Sequence, residues 1–218
     1  LKPTFSLILT LLLNACSEEV EIKEIVKSGT SLHQTEKSEF VGSKNCISCH
    51  EDEYLAWDES PHQQAMKIAD SSSVLGDFNN ISFDSKGITT TFFKKEFNFW
   101  VNTQGPDGIN HDYKIAYTFG VFPLQQYLIA FPNGAYQCLL TAWDAEEKKW
   151  YDLQPKLKIS HDEWLHWSGG SMTWNNMCAD CHSTNLKKSY DNKTSTYKTT
   201  FSEINVSCEA CHGPANLH

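Results

Sequence analysis

The apolar and polar positions divide the chain into stretches of different character. Residues 5–13 form a short, mostly apolar run behind Lys2, and the chain turns polar at Ser17, Glu18 and Glu19. The run is far below the roughly 18 residues that a permanent spanning helix needs, so residues 1–16 are predicted to be an export signal. Residues 17–39 mix Glu, Lys, Ser and Thr with few aromatics, and such a segment buries too little to fold. It is predicted to be a tether, with His33 solvated. From residue 40 onward the pattern is that of a folded domain. Ser60-Pro61 followed by good helix formers predicts a helix with His62 in its first turn. Beyond residue 80 the period changes: Ile88-Thr89-Thr90-Thr91-Phe92-Phe93 and Phe97-Asn98-Phe99-Trp100-Val101-Asn102 are β-branched and aromatic. Further strand-like runs at 111–119, 126–131 and 136–143 are separated by Gly- and Pro-containing turns. The expectation is an antiparallel sheet of about five to seven strands in a β-rich insertion, residues 80–153, within a domain spanning 40–218.

Composition narrows the function classes. Of 218 residues, 18 are Lys or Arg and 27 Asp or Glu, a formal charge of −9, which excludes a strongly basic nucleic-acid binder. With 40% hydrophobic and 21% charged residues the chain is neither disordered throughout nor a polytopic membrane protein. The excess lies in soft ligands and large aromatics: eight Cys, nine His by count and seven Trp.

Most of the cysteines fall in one repeated pattern. Cys46-Ile47-Ser48-Cys49-His50, Cys178-Ala179-Asp180-Cys181-His182 and Cys208-Glu209-Ala210-Cys211-His212 are three copies of Cys-x-x-Cys-His, the attachment pattern of c-type haem. Chance gives on the order of 0.01 such matches in a chain of this composition. Two thiols three positions apart can bond one porphyrin, and the adjacent histidine is then held against its iron. Three covalently attached haems are therefore expected, with His50, His182 and His212 as proximal ligands. Zinc bound by Cys178, Cys181, Cys208 and Cys211 would need pairs 26 residues apart and would leave Cys46 and Cys49 unexplained. Disulfides or redox-active thiol pairs do not account for the histidine after every pair. Cys138, in an apolar stretch, reads as a buried free thiol.

The sixth ligands are less tightly determined. His62, His218 and His166 are the candidate distal ligands, with His161 and His111 as competitors. Met66, Met172 and Met177 are alternatives better suited to packing. His218 follows the third motif through Gly213-Pro214, a turn that can swing the chain toward a neighbouring haem. The fold class is α+β, with short haem-packing helices around the haems and the sheet inserted among them.

Val41-Gly42-Ser43 before the first motif, then Tyr54, Trp57, Ser60, His62 and Met66, together with Leu165-His166-Trp167 and the second and third motifs, resemble the cytochrome c-554-like multihaem cytochromes. In exported bacterial proteins this module stands ahead of tetratricopeptide repeats, and the chain is expected to be a C-terminally truncated fragment of one. The resemblance implies histidine–histidine ligation, with His62, His218 and His166 in distal roles, and electron transfer across the periplasm or cell surface. Leu13-Asn14-Ala15-Cys16 resembles a bacterial lipobox, which makes Cys16 the lipidation site and the lipid the anchor to the membrane. The expected function is an electron carrier between redox partner proteins, with no nucleic acid. The alternative is an oxidoreductase acting on a small nitrogen or sulfur compound at a five-coordinate haem.

Overall fold

The computed structural model describes residues 37–218. The expected signal segment with Cys16, and residues 17–36 of the expected tether with His33, lie outside the described residues.

Residues 38–218 form one unit organised by a nine-stranded antiparallel sheet. Its strands are β1 (Met66–Ile68), β2 (Ile81–Ser85), β3 (Ile88–Lys95), β4 (Asn98–Gln104), β5 (Asn110–Phe119), β6 (Leu124–Ala130), β7 (Tyr136–Cys138), β8 (Thr141–Asp144) and β9 (Lys149–Asp152). The path runs β2-β3-β4-β5-β6-β8-β9, while β1 pairs with β5 and β7 with β6. A separate pair, β10 (Tyr190–Asp191) and β11 (Thr196–Tyr197), lies between the second and third motifs.

The strand count exceeds the expected five to seven for physical reasons. The run at 136–143 is divided between β7 and β8, which pair with opposite ends of β6. Neither β2, mostly exposed, nor β9, half polar, has a clean apolar alternation. Where both faces differ, the alternation is legible: Phe99, Val101 and Thr103 of β4 are buried and their neighbours are not. The β2–β3 turn is a two-residue loop with Lys86 and Gly87 both at positive φ, the backbone that matches strand twist.

Helices are few and short: α1 (Glu51–Trp57), α2 (Trp174–Met177), α3 (Ala179–His182) and α4 (Cys208–His212). The sheet, more than helix packing, therefore dominates the described residues. The helix expected after Pro61 is not formed. Residues 61–64 are turns, and Met66–Ile68 is drawn into the sheet opposite Tyr117, Thr118 and Phe119.

Two cores lie against the sheet. In the first, Phe78 meets Phe92, Phe99, Tyr127 and Trp150 edge-on at 5.0–5.6 Å, and Phe92 stacks on Trp150. Such aromatic contacts add about 0.5–1.5 kcal/mol each beyond the area they bury. The second core joins Met66, Leu128, Cys138 and Trp174 to Ala179, which lies inside the second attachment motif. The sheet thus seats that motif directly.

The two ends of the strand path are tied together by side chains. Asp152 on β9 accepts from Ser85 Oγ at 2.6 Å and from Lys86 Nζ at 2.8 Å, and Lys86 also donates to the Gln154 carbonyl. Burial pushes the Asp152 carboxyl up, but Lys86, Ser85 and the Gln154 N–H outweigh it, and its pKa lies below the usual value. A depressed folded pKa stabilises the fold above the unfolded value of about 3.9, and that contribution disappears as pH falls through the folded pKa. Asp152→Asn should lower the urea midpoint at pH 7, and the gap from the parent should narrow once the pH drops below about 4. A gap that stays constant from pH 7 to pH 3 would show that the closing contact carries no charge-dependent stability.

Candidate functional site

Each attachment motif is built on one helical turn. His50 N–H donates to the Cys46 carbonyl at 2.9 Å and His182 N–H to that of Cys178 at 3.2 Å, while the third motif is α4 itself. Positions i, i+3 and i+4 of a helical turn share one face, so both cysteines and the histidine of each motif are presented together. The first cysteine of each motif is partly buried, the second is exposed, and the described cysteines are all free thiols.

The three turns meet at one segment, residues 202–209. From the second motif, Thr184 exchanges backbone hydrogen bonds with Glu203 and Ser202, and its Oγ1 donates to the Asn205 carbonyl and accepts from Ser207 N–H. From the first, Trp57 Nε1 donates to the Val206 carbonyl at 2.9 Å, and Asn205 Nδ2 donates to the Gln63 carbonyl. Val206 N–H donates to the carbonyl of His62. Ser43 donates through N–H and Oγ to the Glu203 carboxylate. Glu209, inside the third motif, is 2% exposed and accepts from the backbone of Val41, Gly42 and Ala215. Gly42, at φ +85°, stands between Val41, a donor to Glu209, and Ser43, a donor to Glu203.

Beside this segment is a cavity of about 500 Å³, within the roughly 300–1,000 Å³ of ordinary cofactor sites. Cys46 and His50 of the first motif, Cys208 and His212 of the third, and His218 all line it. The rings of His50 and His218 lie 6.0 Å apart, centre to centre. Two imidazoles on opposite sides of one transition-metal ion, at about 2.0–2.1 Å per bond, put their ring centres about 6 Å apart. Burial, and then the neighbouring Cys46 thiol, push the Cys208 thiol up.

The second motif stands against the sheet. The edge of Phe119 on β5 meets the His182 ring at 4.6 Å. Burial depresses the His182 pKa and so favours the neutral imidazole that metals bind. Its Nδ1 is buried with no hydrogen-bond partner. Burial, and then Cys181, raise the Cys178 pKa. The donor set and the cavity fit c-type haem: paired thiols and a histidine on each turn, and a second imidazole, that of His218, lining the same cavity as His50.

The remaining candidates are scattered. His62 is exposed beside the segment that leads into the third motif. His166 does not join the motifs. It is 4% exposed, its Nδ1 is 2.7 Å from Ser168 Oγ, and it lines a different cavity with Lys86, Asp152, His161 and Trp167. Burial, and then His161, lower its pKa. His161 contacts the Pro106 carbonyl and His111 contacts Asp107. Met66 is wholly buried in the second core, Met172 packs beside it and Met177 is exposed. Cys138 is a buried thiol, pushed well up by burial and then by Cys178. Sequence reasoning missed Thr184, Glu203 and Glu209. Only the Val41-Gly42-Ser43 string hinted at them, since a glycine between two donors marks a special backbone.

Cys-x-x-Cys-His turns beside a cavity of cofactor size are the features of a c-type cytochrome. Residues 45–86 and 139–213, more than half the chain, match the family of cytochrome c554 and c-prime, and the chain belongs to that family. The class carries covalently bound haem c and transfers electrons. The stretch between the two matched segments, 87–138, falls within the sheet, and His218 lies beyond the second. No curated protein and no solved structure matches the chain.

The junction makes its own prediction. Thr184→Val keeps the shape but leaves the buried Ser207 N–H without its acceptor, a loss of about 1–3 kcal/mol. Thermal unfolding should shift downward with haem content unchanged. An unshifted melt would show that this junction does not hold the motifs together.

Proposed function

We propose that the chain is a triheme c-type cytochrome, exported and lipid-anchored through Cys16, that passes electrons between redox partner proteins at the periplasmic or cell-surface side of the membrane. The observation that carries this reading is the cavity shared by the first and third motifs, with His50 and His218 at the separation of two ligands on one iron. Haem c supplies one-electron iron chemistry when bound.

The chain's own residues then have distinct roles. Cys46 and Cys49, Cys178 and Cys181, and Cys208 and Cys211 would hold the three porphyrins as thioethers, and His50, His182 and His212 would each ligate an iron. His218 would supply a second imidazole to the iron that His50 holds. His62, beside the segment leading into the third motif, is a distal ligand for one of the other two haems. His166 lies in the second cavity with no attachment cysteine around it, and the arrangement supports no ligand role for it. The attachment turns leave the haems close to one another, because Val41, Gly42 and Ser43 beside the first and Thr184 beside the second are hydrogen-bonded to the segment 202–209 that runs into the third. The formal charge of −9 favours a partner with a basic docking patch.

Absorption and electron paramagnetic resonance of the matured protein test this, before and after nitrite, hydroxylamine or carbon monoxide. Three haems per chain, all low-spin and inert to these ligands, are expected. A high-spin haem that binds them would overturn the pure relay and locate a substrate site. His218→Ala should keep three haems and turn one of them high-spin. A spectrum identical to the parent's would remove His218 from the ligand set.

A further inference from the structure

Glu209 stands apart from the other carboxylates of the chain. An acidic residue in the first turn of a short helix is ordinarily solvated, yet Glu209 is almost fully enclosed. Its partners among the described residues are backbone N–H groups. Its Oε1 accepts from Val41 N–H at 2.9 Å and Ala215 N–H at 3.0 Å, and its Oε2 from Gly42 N–H at 2.7 Å and Val41 N–H at 3.1 Å. Enclosing a carboxylate is costly unless its oxygens are satisfied, and four backbone donors satisfy these.

The donors come from two places with one thing in common. Val41 and Gly42 lead into the 3₁₀ turn Ser43–Cys46 and so into His50. Ala215 belongs to the turn that leads from α4 to His218. Gly213, at φ +78°, starts this turn, and Glu39 and Asn216 exchange hydrogen bonds across it. One side chain therefore grips the backbone on both sides of the His50–His218 pair, and it also lines their cavity.

We propose that Glu209 is the positioning residue that holds His218 opposite His50 across one iron, and that its enclosed negative charge keeps that haem's reduction potential low. The proposal rests on the ligand reading above. The neighbouring negative charge opposes the added electron, so removing it favours the reduced iron.

The test compares Glu209→Ala and Glu209→Gln with the parent, His218→Ala and Asp152→Asn, all as matured haem proteins. Haem content is measured as the pyridine adduct, spin state by electron paramagnetic resonance, and potentials by spectroelectrochemical titration. Glu209→Ala should retain three haems and give the high-spin signal of His218→Ala in part of the molecules. Glu209→Gln keeps the size of the side chain and removes its charge. It should shift the reduction equilibrium of one haem at least tenfold toward the reduced form, about 59 mV for one electron. Asp152→Asn, which loosens the sheet and does not line the His50–His218 cavity, should change neither spin state nor potential. If Glu209→Ala fails to mature, Glu209→Gln alone decides. Parent-like spin states and potentials in the Glu209 variants, with His218→Ala high-spin, would overturn the role of Glu209 and leave the ligand pair standing. A parent-like His218→Ala would overturn the pair and the proposal together.

Discussion

The fold depends on how polar groups are satisfied where the three attachment turns meet. Each turn is short and contributes little apolar surface, so hydrophobic burial alone cannot fix one turn against another. Thr184, Glu203, Asn205, Val206 and Glu209 do it with hydrogen bonds to residues far away in the chain. An unmade hydrogen bond at a buried group costs more than a made one contributes, so such a junction tolerates few alternative arrangements. Specificity here comes from that asymmetry.

The sheet supplies what the junction lacks. Its first core is an aromatic cluster around Phe78, enclosed by strands and closed at the ends of the path by Asp152, Ser85 and Lys86. Its other core runs through Met66, Cys138 and Trp174 to Ala179, so the second attachment turn rests on a packed surface. Among the described residues the first and third turns join neither core, and the residues that flank them are held by the carboxylates of Glu203 and Glu209. Rigidity is thus provided by packing at one turn and by charge-assisted hydrogen bonds at the other two.

Much of the chemistry was legible in the sequence because it is local. Cys-x-x-Cys-His is read within five residues, and Cys138 sits in an apolar run that announces its burial. The sheet was legible where strands have one buried and one open face, as at Phe99, Val101 and Thr103. It was not legible at β2, an exposed edge, nor at 136–143, whose halves pair with different parts of β6. Local propensity misled after Pro61, where pairing with β5 and the Val206 contact override a helical pattern. His166, expected as a ligand among aromatics, lines a cavity with Lys86, Asp152 and Trp167, a grouping that no local pattern shows. Glu209 was invisible because nothing nearby in sequence marks a carboxylate whose partners lie at Val41 and Gly42.

The meeting of His50 with His218 also imposes an order on the making of the protein. These two residues stand near opposite ends of the described chain, with the whole sheet between them. The entropic cost of closing so long a loop rises only logarithmically with its length, so distance does not forbid the contact. Synthesis runs from the amino end, however, and His50 is made before any strand of the sheet and long before His218. The first attachment turn must wait, open on one side, while everything that will enclose it is still being made. The earliest of the described elements is enclosed only when the last of the described residues is in place.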